Sequence, residues 1–192
     1  MKNKSFESDI ENAIRVLKNG GTILYPTDTI WGIGCDATNK TAVEKVFAIK
    51  KRMEEKSLIV LLDDAEKLCD FVEQIPSNAM ELIAYSGNPL TIVYPKAINL
   101  AGNISAEDGS IAIRIAKDNF CRELIRRFSK PVVSTSANIS GTVAPNNFSE
   151  ISEVIKSAVD YVVKHRQREN SAGKPSVIIR LGLKGEIEFI RK

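Results

Sequence analysis

The chain has 192 residues, a length that fits one domain, and we expect a single domain over residues 1–192. Hydrophobic residues make up 43% of the chain, which is enough for a core and argues against a disordered chain. Lysine and arginine total 27 against 24 aspartates and glutamates, for a net charge of +3. This small excess permits a phosphate-rich partner but does not make the whole surface a nucleic-acid-binding field.

The cysteine, histidine and apolar patterns bear on where the protein works. Cys35, Cys69 and Cys121 are scattered and odd in number, and His165 is the only histidine, which argues against a zinc site or a disulfide scaffold. The polar, acidic N-terminus lacks the pattern of a signal peptide. The longest apolar run, Leu58–Leu62, is far too short to cross a bilayer. We therefore expect a cytoplasmic protein with no membrane partner.

Hydrophobic periodicity and turn residues predict strands that alternate with helices at first and dominate later in the chain. Helices are expected at about 6–17, from 41 onward, from 63 or 64 to 71, and at 76–87, 118–128 and 151–158. Strands are expected at 22–25, 57–62, 90–94, 111–115, 131–134, 161–164, 177–181 and 186–190, the last two forming a hairpin around Lys184–Gly185. This order predicts an α/β fold with a mixed sheet.

Two helix starts carry capping signals. Thr41 and Glu44 have the spacing of a capping box, in which the hydroxyl and the carboxylate satisfy free backbone N–H groups. Asp118 is placed to cap the helix that runs to Phe128.

The segment Tyr25–Asp36 is the first with chemical potential. It leaves a strand, carries Thr27, Asp28 and Thr29, and then supplies two glycines. Threonine hydroxyls beside glycine can contact a small polar ligand while the backbone approaches closely. An ordinary strand-to-loop turn explains the same composition, and the segment is not a phosphate-binding GxxxxGK[ST] loop.

The segment Lys50–Lys56 places several cations between a helix and a strand. Cations at the carboxyl end of a helix are favourable for its dipole, which explains them without a ligand. Lysine and arginine are also what a triphosphate needs, because arginine offers a bidentate fork and lysine a point charge.

Arg114 lies in the apolar strand Ile111–Ile115, where alternation places it on the same face as Ser110 and Ala112. An arginine there is costly unless it has a partner or faces a polar cleft. A structural salt bridge and a ligand contact both remain open.

The segment Lys130–Gly141 runs from a buried strand into clustered hydroxyls and an amide, at Ser134, Ser136 and Asn138. Such groups at the carboxyl end of a strand suit a nucleotide cleft in an α/β sheet. A serine- and asparagine-rich turn is the alternative.

Taken together, these segments resemble the YrdC family over residues 10 to about 191. The family pattern has a YPTDT-x-[YW]-G-[LI]-G block, a KxR loop, a GP-x-T strand, a V-A-[VI]-R strand and a S-x-SAN-x-SG block. These blocks correspond, in order, to Tyr25–Gly34, Lys50–Arg52, Ser86–Thr91, Ile111–Arg114 and Ser134–Gly141.

The resemblance implies a twisted mixed β-sheet flanked by helices, with a deep, positively charged concave face. It implies synthesis of threonylcarbamoyl-AMP from threonine, bicarbonate or CO2, and ATP, the first step in forming N6-threonylcarbamoyladenosine (t6A) in tRNA. By position, threonine would contact Thr29, Arg114 and Ser176. The residues that would meet ATP are Lys50, Arg52, Lys56, Ser110, Ser134, Ser136, Asn138 and Arg191. Mg2+ would accompany ATP, with no metal ligand from protein side chains and no residue assigned as a nucleophile.

Other functions and partners stay open at this stage. A YrdC-like protein that binds RNA without efficient synthesis is one alternative, because a fold does not determine a function. A carbamoyl-transfer module like those of hydrogenase-maturation proteins is another. A contact with tRNA or double-stranded RNA through the positive face, and transfer of the product to a threonylcarbamoyl transferase complex, are also expected from the resemblance.

The polar segment Gln167–Pro175 leads into Ser176 and contains a glycine but no apolar periodicity. We expect a mobile surface loop that closes over the substrates and excludes water. A solvent-exposed connector is the alternative.

Overall fold

The computed structural model of the protein describes residues 4–51, 58–170 and 173–192. Within this part of the chain the helices are α1 (Lys4–Lys18), α2 (Lys40–Lys50), α3 (Leu68–Phe71), α4 (Ala79–Tyr85), α5 (Asn119–Phe128) and α6 (Glu153–Ala158). Short 3-10 turns occupy Ala65–Lys67 and Phe148–Glu150. None of the helices in these ranges combines the length and apolar character that crossing a membrane requires.

The described strands form one mixed sheet. They are β1 (Ile23–Tyr25), β2 (Gly32–Gly34), β3 (Ile59–Leu62), β4 (Leu90–Tyr94), β5 (Ile111–Ile115), β6 (Val132–Ser136), β7 (Tyr161–Val162), β8 (Val177–Leu181) and β9 (Ile187–Arg191). Their order across the sheet is β7-β1-β2-β6-β3-β5-β4-β8-β9. The pairs β1/β7, β3/β5 and β4/β8 are parallel and the other five are antiparallel. The predicted mixed α/β fold and the predicted β8–β9 hairpin are thus confirmed.

The two faces of the sheet are covered differently. On one face, the apolar side of α2 packs with alternate strand residues such as Val60, Ile113 and Ile179. On the other face, α1 and α5 pack over the β1 side of the sheet, around Leu61. Side chains alternate along strands, so Ile59, Ala112 and Ile178 point to the same face as Leu61. These three residues line a cavity beside the α1–α5 layer.

Strand β2 was not predicted, and its glycines explain why. Glycine is depleted in strands and gives no hydrophobic alternation, so Gly32–Gly34 looked like a loop. In the fold, a Cβ on Gly34 would stand 2.6 Å from the Tyr25 ring and 2.6 Å from the carbonyl oxygen of Val133. The strand needs glycine because the neighbouring strands approach its backbone closely.

The predicted capping box at Thr41 is wrong. Helix α2 begins at Lys40, and Asn39 is its N-cap, with Oδ1 accepting from the Ala42 N–H at 3.1 Å. Thr41 therefore lies inside the first turn. The predicted Asp118 cap is confirmed, since its carboxylate accepts from the Cys121 N–H at 3.0 Å. Asp64 caps the 3-10 turn before α3.

The corrected cap gives a direct test of stability. Asn39→Ala removes the side-chain acceptor and should lower the free energy of unfolding by about 1 kcal/mol. Thr41→Ala is the matched control, because Thr41 is exposed and does not cap the helix, and it should change the free energy by less than about 0.5 kcal/mol. Chemical denaturation measures both. A larger loss for Thr41→Ala than for Asn39→Ala would contradict the assignment of the cap.

Candidate functional site

A cavity of about 330 Å³ opens on the sheet face beside the α1–α5 layer. Its size lies at the lower end of the range for small-molecule sites. Apolar groups such as Val93, Ala112 and Ile178 line it together with several polar side chains. Of the residues predicted to contact substrates, seven line this cavity: Thr29, Ser110, Arg114, Ser134, Ser136, Ser176 and Arg191.

Arg114 projects from the middle of β5 and is only 3% exposed. Its Nη2 lies 3.1 Å from Oδ1 of Asp28, whose side chain is 7% exposed. No hydrogen-bond acceptor among the described residues reaches Nε or Nη2 with good geometry. The structural salt bridge raised by the sequence is therefore present, and a contact of Arg114 with a ligand stays a prediction.

Thr29 lies in the loop between β1 and β2, where a second threonine supports it. The Thr27 hydroxyl donates to the Ile30 carbonyl at 2.7 Å and accepts from the Thr29 N–H at 3.1 Å. The two threonine hydroxyl oxygens are 2.9 Å apart. Thr27 is buried and does not line the cavity, whereas Thr29 does.

Ser176 precedes β8 and is held from two sides. Its hydroxyl lies 2.7 Å from that of Thr91 on β4. Arg191 on β9 donates from Nε and Nη2 to the Ser176 carbonyl, at 3.0 and 2.8 Å, and from Nη2 to its hydroxyl at 3.2 Å. Burial lowers the pKa of the Arg191 guanidinium, and the positive charge of Arg114 adds to this effect. Among the described residues, Arg114, Arg180 and Arg191 line the cavity and no acidic side chain does.

Lys50 and Asn138 do not line the cavity. The Lys50 ammonium is buried and donates to the carbonyls of Ser136 at 2.5 Å and Asn138 at 2.8 Å. The Asn138 amide donates to the carbonyls of Thr142 at 2.6 Å and Ile139 at 3.1 Å. Both side chains hold the shape of the loop after β6, which places Ser136 at the cavity. A direct contact of either residue with ATP stays a prediction.

Two of the predicted ATP contacts cannot be placed, and one charged residue of the cavity was not predicted. Arg52 and Lys56 lie outside the described residues. Sequence reasoning missed Arg180, which lines the cavity from β8. The signal was available, because Arg180 is a charged residue within the apolar run Val177–Leu181, as Arg114 is within its own strand.

The segment from Gly173 to Ser176 passes close to the Thr29 loop. A Cβ on Gly173 would lie 1.6 Å from the Thr29 carbonyl oxygen, so only glycine fits there without movement. Pro175 and Ser176 line the cavity. Part of the predicted loop, at positions 171–172, lies outside the described residues, and its mobility stays a prediction.

The histidine lies away from the cavity, and the described residues contain no cluster of metal ligands. His165 packs against Phe6, with ring centroids 5.1 Å apart, and stacks on Phe120 at 5.6 Å, away from the cavity. Among residues 4–51, 58–170 and 173–192, no group of three acidic, cysteine or histidine side chains could hold a metal ion.

The fold and the cavity define an α/β protein whose mixed sheet carries a cavity lined by arginines and hydroxyl groups. A family model named for Sua5, YciO and YrdC, and described as "Telomere recombination", matches residues 15–192. The chain therefore belongs to the Sua5/YciO/YrdC family.

Named relatives and solved structures give the same grouping. A threonylcarbamoyl-AMP synthase of Pseudoalteromonas translucida is 34% identical, over 91% of this chain and 94% of the relative. A protein of the same name from Psychromonas ingrahamii is 30% identical, over 79% of this chain and 81% of the relative. A variant of P. abyssi Sua5 has a TM-score of 0.81 at 27% identity, over 89% of this chain. P. abyssi Sua5 complexed with L-threonine has a TM-score of 0.81 at 24% identity, a likeness of fold. The chain spans about half the length of these Sua5 chains, 52% in each case.

The Arg114–Asp28 pair can be tested apart from any ligand. Arg114→Met leaves the Asp28 carboxylate buried without its cation, and the free energy of unfolding should fall by about 3–5 kcal/mol. Asp28→Asn should also destabilise the protein, because it leaves the guanidinium unpaired. Combining the two changes should cost clearly less than the sum of the single losses when all are measured by denaturant unfolding. Strictly additive losses would show that the pair does not couple.

Proposed function

We propose that this protein is a threonylcarbamoyl-AMP synthase. It would convert L-threonine, bicarbonate or CO2, and ATP into L-threonylcarbamoyladenylate and pyrophosphate, the first step of t6A formation. One observation carries the proposal: the buried guanidinium of Arg114 lines a cavity together with Arg180 and Arg191. The chain that holds it is 34% identical to a relative named threonylcarbamoyl-AMP synthase.

Threonine is proposed to occupy the space between Thr29, Arg114 and Ser176. The guanidinium of Arg114 suits a carboxylate, which arginine binds through parallel hydrogen bonds. Apolar side chains such as Ala112 and Ile178 offer a surface for the threonine methyl group. A complex of P. abyssi Sua5 with L-threonine supports the choice of amino acid.

ATP is proposed to occupy the serine-rich part of the cavity and its rim. Ser110, Ser134, Ser136 and Arg191 line the cavity itself. Lys50 and Asn138 would act indirectly, because both donate hydrogen bonds to carbonyls around the loop after β6. Arg52 and Lys56, from the segment after α2, would meet the phosphates. Mg2+ is proposed to arrive with the triphosphate. We also propose that the concave face is positively charged, which would favour both nucleotide and tRNA.

The chemistry has two steps. The threonine amine attacks the carbon of CO2, forms a C–N bond and loses a proton to solvent, giving an N-carboxylate. An oxygen of this carboxylate then attacks the α-phosphorus of ATP, and the bond to the β-phosphate oxygen breaks to release pyrophosphate. The protein's share is positioning and neutralisation of charge by its arginines and hydroxyls, so no covalent nucleophile is needed.

The product would serve a threonylcarbamoyl transferase complex that modifies tRNA. An activated carbamoyl adenylate is easily hydrolysed, so a covered site is useful until transfer. The segment from Gly173 to Ser176 is proposed to form part of that cover, since it connects the Thr29 loop with the cavity wall.

Substrate dependence is the direct test of this function. Pyrophosphate release from ATP should require both L-threonine and bicarbonate. Serine should react with a kcat/KM lower by a factor of about 10–200, because one methyl group is worth roughly 1–3 kcal/mol in an apolar pocket. Release that is equal with serine, or that occurs without an amino acid, would contradict the assigned substrate. Binding of RNA without any turnover would favour the RNA-binding alternative.

The cover can be tested at Gly173. Gly173→Ala places a methyl group against the Thr29 carbonyl and should push the segment away from the cavity. The yield of intact threonylcarbamoyl-AMP per pyrophosphate released should then fall. Gly102→Ala is the matched control, because a Cβ there meets nothing within 4 Å. Unchanged yield and turnover in folded Gly173→Ala protein would leave the segment a connector.

A further inference from the structure

We propose that Thr27 is a positioning residue that fixes the Thr29 hydroxyl as a hydrogen-bond acceptor for the amine of the substrate. The inference rests on the proposed function. It adds which group donates and which accepts the hydrogen bond between the site and the amine of an amino acid. It starts from the three hydrogen bonds of the Thr27 hydroxyl. Thr27 is 3% exposed and does not line the cavity.

The direction of each hydrogen bond follows from counting protons. A hydroxyl has one proton to donate and two lone pairs that accept. The Ile30 carbonyl can only accept, so the 2.7 Å contact uses the single proton of Thr27. The Thr29 N–H can only donate, so the 3.1 Å contact uses one lone pair of Thr27. The remaining contact, between the hydroxyl oxygens of Thr27 and Thr29 at 2.9 Å, therefore takes its proton from Thr29.

Once its proton points at Thr27, the Thr29 hydroxyl has only lone pairs left for a ligand. Thr29 lines the cavity, so it presents an acceptor there. Arg114 lines the same cavity with its guanidinium cation. An acceptor and a cation in one cavity match an α-amino acid, whose ammonium donates and whose carboxylate accepts.

The same polarity suits the course of the reaction. Carboxylation of the amine replaces N–H bonds with a bond to carbon, but one N–H remains on the carbamate nitrogen. An acceptor at Thr29 can thus bind the nitrogen before and after this step. A hydroxyl free to rotate would lose part of this preference, since it could also donate to the carboxylate of a misplaced ligand.

The test uses two ligands that differ only in the amine. L-Threonine and (R)-3-hydroxybutyrate share the carboxylate, hydroxyl and methyl groups, and only threonine has the donor. Dissociation constants for both are measured by calorimetric titration with wild-type protein, Thr27→Val and Thr27→Ser. Thr27→Val removes the hydroxyl at nearly constant shape, and Thr27→Ser is the control that keeps it.

Thr27→Val should weaken L-threonine binding by about tenfold, the scale of one hydrogen bond to a charged donor, and leave (R)-3-hydroxybutyrate binding within about twofold. Thr27→Ser should bind both ligands like the wild type. Equal losses for the two ligands would show that Thr27 only supports the loop, and no loss for either would also overturn the inference. If Thr27→Val does not fold, Thr27→Cys, with its weakly bonding thiol, carries the same comparison.

Failure of the proposed function would look different. Wild-type protein that binds neither ligand would overturn the threonine assignment and this inference with it. Wild-type protein that binds threonine, with variants that lose both ligands equally, would overturn the inference alone.

Discussion

A buried guanidinium on a central strand is the constraint around which the site is organised. Arg114 stands where alternation directs it to the open face of the sheet, and burial of a lone charge there would cost several kcal/mol. Asp28 supplies the counter-charge from the loop after β1, so the ion pair joins two distant parts of the sheet. Arg114 also lines the cavity, as does Thr29, the neighbour of Asp28 in the loop. The position of that loop and the polarity of the cavity both depend on this arrangement.

Regular alternation and clear caps made much of the fold predictable. The strands at 90–94, 111–115 and 177–181 were predicted with their observed bounds, because β-branched and other apolar residues dominate these short runs. The face shared by Ser110, Ala112 and Arg114 followed from the same alternation, and all three line the cavity. Strand β2 escaped prediction because its glycines serve close backbone contacts, which a single sequence does not display. The α2 cap was misplaced because Thr41 and Glu44 have the spacing of a capping box, whereas the extended backbone at Asn39 makes that residue the N-cap.

The sequence alone did not predict which residues of the site contact each other when they are far apart in the chain. Asp28 was visible as a polar residue of the first segment, but its contact with Arg114 depends on how the loop folds over β5. Lys50 was expected to face a ligand because it is charged and precedes further cations. In the structure its ammonium donates to the carbonyls of Ser136 and Asn138, and its contact with ATP stays a prediction. A charged residue in a sequence is expected to have a polar partner, and the tertiary packing determines which group that partner is.

Arg191 places one side of the site on an edge strand. It lies on β9, the outermost strand on its side of the described sheet, and every residue of that strand is exposed. Edge strands with few buried contacts open locally at a lower free energy than central strands do. Fraying of β9 would withdraw the guanidinium that holds Ser176 while β3, β5 and β6 stay paired. Ligand affinity and global stability are therefore separable properties here: mild warming or low denaturant should erode the first well before the second.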